Sequence, residues 1–118
     1  NTGDGTMDII DVASNTIKQS FAVGIVPIRI QFTPDGKKAL VSDNGAGELI
    51  IINAAARNVI KRVKAEASPV GVLIRPDGKK AYIARSGSGM VSVLDLDTLS
   101  FTGDIKTGNA PDGMAWVR

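Results

Sequence analysis

The six residues Pro34–Ala39, PDGKKA, recur letter for letter at Pro76–Ala81, 42 positions later. Self-similarity at a fixed period of roughly 20 to 50 residues marks a repeat architecture, so this recurrence constrains the fold more tightly than composition can. Residues 27–68 laid over 69–110 also match identically at Pro27/Pro69, Gly45/Gly87, Gly47/Gly89 and Lys64/Lys106, without a gap. The same frame runs forward to Pro111 and back to Gly5. It divides the chain into a partial repeat at 1–26, complete repeats at 27–68 and 69–110, and the opening strand of a further repeat at 111–118.

Each repeat reads as four short strands and no helix. The first strand is expected at Pro27–Phe32, Pro69–Ile74 and Pro111–Trp116, with apolar columns Ile30/Val72/Met114 and Phe32/Ile74/Trp116. Those columns put Trp116 in the core. Pro-Asp-Gly then forms a tight turn, because Pro fixes φ, Asp bonds its own downstream backbone and Gly accepts positive φ. The second strand covers Lys38–Ser42 and Lys80–Ala84 and leads into the glycine loops SDNGAG and ARSGSG. The third strand is the most apolar, with columns Met7/Leu49/Val91, Ile9/Ile51/Val93 and Ile10/Ile52/Leu94, so both of its faces are expected to be dry. It ends at the turn-forming column Asp11/Asn53/Asp95. The fourth strand, about 16–23, 58–65 and 100–107, mixes apolar residues with charges that guard an outer edge.

Four antiparallel strands at this period are those of a β-propeller blade. The stretch PDGKKAYIARSGSGMVSVLDLDT, and its earlier copy PDGKKALVSDNGAGELIIINAAA, resemble the YVTN family of β-propeller repeats over essentially the whole chain. The family's tetrapeptide falls on Tyr82–Arg85 and Leu40–Asp43, where Arg85 and Asp43 replace the usual Asn. The resemblance implies blades of a ring commonly built from seven, often exported to the periplasm, cell surface or medium. Eleven strands do not close such a ring. The expected partners are therefore further blades, from the same or other chains. Exposed apolar strand edges at both ends argue against a stable lone monomer.

The chain contains no His and no Cys, which removes the groups that most often do acid–base work, bind zinc or ligate haem. No catalytic residue, metal site or cofactor is therefore assigned. The net charge of +2 is too small and too scattered to indicate nucleic acid or a membrane surface. The few aromatic residues fall mostly in core columns, which gives single-stranded nucleic acid no stacking platform. The longest apolar run, Leu49–Ile52, is far short of a membrane span.

Binding candidates lie where the repeats disagree, because the fold wants its repeats alike and a ligand site does not. Arg29 stands in the innermost strand at a column otherwise held by Gly71 and Gly113, so it is expected to project into the central channel and meet an anionic partner. The loops on the rim opposite Pro-Asp-Gly offer Asp43, Asn44, Glu66, Arg85, Ser86, Asn109 and Asp112. Two function classes follow. One is a non-catalytic binding or scaffold module of the cell envelope, gripping a protein or glycan. The other is part of an oxidoreductase or lyase propeller whose catalytic groups lie in blades outside this sequence.

Overall fold

The structure, a computed structural model, describes residues 1–117. Its ten strands are β1 (Thr6–Asp11), β2 (Thr16–Ala22), β3 (Pro27–Phe32), β4 (Lys38–Asp43), β5 (Glu48–Asn53), β6 (Asn58–Lys64), β7 (Pro69–Ile74), β8 (Lys80–Arg85), β9 (Met90–Asp95) and β10 (Ser100–Lys106). All pairing is antiparallel and between chain neighbours. It gives a two-stranded sheet β1-β2 and two four-stranded meanders, β3-β4-β5-β6 and β7-β8-β9-β10. These are blades of an incomplete propeller ring, and no helix occurs among the described residues.

The turns form for the reasons the sequence supplies. In Thr33-Pro34-Asp35-Gly36 the Gly36 N–H donates to Thr33 O at 2.8 Å, Asp35 Oδ1 accepts from Lys37 N at 3.0 Å, and Gly36 has φ +69°. The second copy repeats the geometry, with Gly78 N to Arg75 O at 2.9 Å. The polar column also closes its turns: Asp11 accepts from Ser14 N, Asn53 from Ala56 N, and Asp95 from Asp97 N and Thr98 N, all within 3.0 Å. A further column has no glycine to announce it. Asn15, Arg57 and Leu99, at one position of the repeat, all adopt φ between 52° and 56°. The outer pairing likewise carries a bulge in each repeat, passing over Lys18, Ile60 and Thr102. Such a bulge twists an edge strand away from foreign strands.

Blades stack through the apolar faces of their middle strands. Leu40, Leu49 and Ile51 of one blade pack against Ile74, Ala81, Ile83 and Leu94 of the next. On the other face Ala39, Val41, Ile50 and Ile52 pack with Val23 and partly buried Met7 and Phe21. The expectation of a third strand dry on both faces therefore holds in full for β5. In β1 it does not: Ile10 is exposed, because among the described residues no preceding sheet covers the face that β1-β2 covers for Ile52.

The innermost strands lie side by side. β7 is fastened to the preceding blade by Ser42, whose Oγ donates to Val70 O at 2.6 Å, and by Gln31, whose Oε1 accepts from Ile74 N at 3.0 Å. Residues 111–117 continue this row: Asp112 lies against Gly71, Met114 and Leu73 line one groove, and the Arg75 guanidinium sits 5.9 Å from the Trp116 ring centre. The eleventh strand expected at Pro111–Trp116 is not formed, since no second strand lies beside it to supply a ladder. Arg118, the last residue of that piece, lies outside the described residues.

Column burial departs from expectation at the ends of the arc for the same reason. Ile74 is 6% exposed, whereas Phe32 and Trp116 in its column are 55% and 45% exposed. Ile74 has a complete blade behind it, and Phe32 has only β1-β2. Trp116 is thus a half-open side chain rather than a core one. Each large apolar side chain left wet forgoes about 1.5–3 kcal/mol. The isolated 118-residue chain is accordingly expected to self-associate at micromolar concentration, as read by light scattering. A monodisperse monomer with a cooperative melt would contradict this.

Candidate functional site

The second-to-third strand loops and the inter-blade linkers meet on one rim, and Asp43 and Arg85, at one position of the repeat, hold them together. Asp43 ends β4 with a fully buried side chain. Its two carboxylate oxygens accept from Ile25 N and Val26 N, each at 2.8 Å, and more weakly from Ala46 N at 3.3 Å. Gly24 is required there because an added Cβ would overlap the carboxylate. Burial raises the Asp43 pKa, but the N–H donors of Ile25, Val26, Ala46 and Gly45 outweigh it and hold the carboxyl below its ordinary value. The carboxylate is thus occupied by the linker.

Arg85, one repeat later, does the converse. Its Nη1 donates to Ala65 O at 3.2 Å and its Nη2 pairs with Asp104 Oδ1 at 2.8 Å, leaving the side chain only 16% exposed. The linker beside it, Glu66-Ala67-Ser68, has positive φ at all three residues, and its carbonyls turn inward: Ala67 O accepts from Gly87 N, and Ser68 O from Ser86 N and Oγ. An Asn can both donate and accept. Here acceptor-only Asp43 stands with linker N–H groups turned in, and donor-only Arg85 with linker carbonyls turned in. Sequence reading locates this column but not the inversion, because the peptide orientations are written nowhere in the residue types.

The remaining rim candidates do not converge on one concavity. Asn44 ties its N–H to Val26 O at 3.0 Å, Glu66 pairs with Lys64 at 3.1 Å, and Asn109 is exposed. The structure does bring together two candidates that sequence separates by 83 positions. Arg29 Nη2 lies 3.8 Å from Asp112 Oδ2, with the side chains 56% and 53% exposed. β7 lies between β3, which carries Arg29, and the segment that carries Asp112, so the pair spans β7 at Gly71. An added Cβ on Gly71 would overlap the Asp112 carbonyl. A cleft of about 90 Å³, lined in part by Asn1, Pro27, Ile28 and Val41, opens beside Arg29. Among the described residues no cluster of three carboxylates suited to a metal ion occurs, and no helix is long and apolar enough to cross a membrane.

No family model and no curated protein sequence matches the chain. Solved structures do. The chain is similar to hydrazine synthase of Kuenenia stuttgartiensis, with 28% identity and a TM-score of 0.72 over 74% of this chain and 25% of that one. It is also similar to the dihydro-heme d1 dehydrogenase NirN, solved in complex with DHE, with 20% identity and a TM-score of 0.77 over 88% of this chain and 22% of that one. The chain spans about a quarter of the length of either protein.

Asp43→Ala leaves two backbone donors without an acceptor, at a cost of about 1–3 kcal/mol each. It should lower the urea midpoint markedly, while Asp43→Asn, which keeps the shape and one acceptor, costs less. Because the folded pKa is depressed, the stability contributed by Asp43 is present above its ordinary pKa of 3.8 and is lost as pH falls through the lower folded value. The gap in urea midpoint between wild type and Asp43→Asn should therefore narrow on going from pH 6 to about pH 2. A gap independent of pH would show that ionised Asp43 does not hold the linker.

Proposed function

We propose that the chain is a non-catalytic binding segment of a larger propeller, built of YVTN-type repeats, which presents Arg29 to an anionic ligand at the axis. The observation that carries the reading is the placement of Arg29: exposed, on the innermost strand, reaching across a glycine, with its guanidinium met, among the described residues, by a loose ion pair and by Ile28 O at 3.4 Å. A guanidinium offers five N–H donors, and such contacts leave most of them free for a ligand. Rim groups such as Asn44, Ser86 and Asn109 would add polar contacts from the loops, suited to a protein or glycan. Further blades, from the same or other chains, would cover the apolar faces at both ends of the arc. Export to the periplasm or cell surface is what the repeat resemblance implies, and it is part of this proposal.

A second reading is favoured by the names of the similar structures, a synthase and a dehydrogenase. On that reading the segment is part of an enzyme propeller and contributes wall rather than chemistry, since it has neither His nor Cys. An ultraviolet–visible spectrum of the intact protein separates the two, because a haem-type absorbance belongs only to the enzyme reading.

Arg29→Gly is the direct test. The fold should survive, because Gly71 and Gly113 occupy the equivalent positions. Loss of a charge-assisted contact worth about 1.5–3 kcal/mol should weaken an anionic ligand by roughly ten-fold or more. Equal affinity of wild type and variant across a panel of carboxylates and phosphates would end the proposal.

A further inference from the structure

Resting on the binding role of Arg29, we infer that Asp112 is a built-in competitor for that guanidinium, holding off an oxyanion, carboxylate or phosphate, that can engage its donor fork. The pairing geometry carries the inference. At 3.8 Å the contact between Arg29 and Asp112 lies well beyond the roughly 2.7–2.9 Å of a charge-assisted hydrogen bond, and no hydrogen bond joins the two side chains. Both side chains are more than half exposed, so the pair is screened and weak.

Other charge pairs in the chain show what a closed contact looks like. Arg85 meets Asp104 at 2.8 Å, and Arg75 meets Asp77 at 3.0 Å. Those arginines are engaged from a second side as well, Arg85 by Ala65 O and Arg75 by the Trp116 ring. Among the described residues Arg29 has, besides Asp112, only Ile28 O, at 3.4 Å.

The backbone of Asp112 has a contact of its own, independent of the arginine. The Asp112 carbonyl is seated against the bare Cα of Gly71, and this places the carboxylate one inner strand away from Arg29. A carboxylate held near a guanidinium by its backbone, but not bonded to it, occupies the field of the cation without using its planar donor fork. A free carboxylate can approach that fork and make the two parallel bonds that Asp112 does not reach. Binding then requires Asp112 to yield, and the apparent affinity is reduced by the fraction of protein in which Arg29 is already free. Asp112 also repels the incoming anion. It acts as a positioning and selectivity residue, passing ligands with enough negative charge to displace it.

The test uses the chain in its native assembly, with citrate as the probe and inorganic phosphate beside it, followed by calorimetric titration or amide chemical shifts. An exposed pair worth about 0.2–1 kcal/mol implies that Asp112→Asn tightens citrate by up to roughly five-fold. Asp112→Ser should do the same. Arg29→Gly should abolish the difference, so that Arg29→Gly and the double variant bind alike. Phosphate, which the same fork can hold, should gain as well. If Arg29→Gly weakens citrate but both Asp112 variants bind it no better than wild type, the competitor role is overturned and the binding role of Arg29 stands. If Arg29→Gly has no effect, both fall.

Discussion

A sheet that carries Leu40, Leu49 and Ile51 on one side and Ala39, Val41, Ile50 and Ile52 on the other has no face to give to water. It becomes stable only between two other sheets, and each of those meets the same demand in turn. This mutual burial of middle strands is what the other features serve. At about 1.5–3 kcal/mol for each fully buried aliphatic side chain, the face-to-face contact outweighs any single hydrogen bond in the blade. The polar outer strands, bulged in every repeat, are where the stacking ends and water begins.

Stacking alone does not set the angle or height at which one blade meets the next. That is done by polar fasteners at the inner edge and the rim. Ser42 and Gln31 reach from one blade to the backbone of β7, and Asp43 and Arg85 grip the linkers. In the second blade the positions of Ser42 and Gln31 are taken by Ala84 and Leu73. The row of inner strands is therefore sealed by hydrogen bonds at one junction and by apolar contact at the next. Residues 111–117 meet that second junction through Met114 and Trp116.

The 42-residue period made most of the fold legible, because alternation, Pro-Asp-Gly and the Asp11/Asn53/Asp95 column are local chemistry repeated in register. What stayed hidden depends on neighbours. The left-handed backbone at Asn15, Arg57 and Leu99 has no residue type in common, since the turn imposes it and the side chains only tolerate it. Exposure of Phe32 and Trp116 could not follow from columns that treat every blade as flanked on both sides. Asp43 and Arg85 were recognisable as departures from a pattern, but their bonding to the linkers depends on which way peptide planes face. Arg29 was found by its disagreement with Gly71 and Gly113, while its meeting with Asp112 is a product of the chain path that sets residues 111–117 in a row with β3 and β7.

That meeting also explains why the repeats disagree at this column. Gly71 cannot become Ala in place, because its Cβ would occupy the position of the Asp112 carbonyl, so the inner strand must be bare where the following segment closes on it. Arg29 stands under a different constraint. Its N–H donates to Ser42 Oγ at 3.2 Å, and Ser42 in turn donates to Val70 O, so a hydroxyl connects this strand to the next and a side chain fits at Arg29. With Ala84 in place of Ser42, the second junction has no such connector, and a bare Gly71 meets the following segment directly. Ser42 thus accompanies Arg29 at one junction, and Ala84 accompanies Gly71 at the other. The glycine that follows leaves the surface across which that cation reaches.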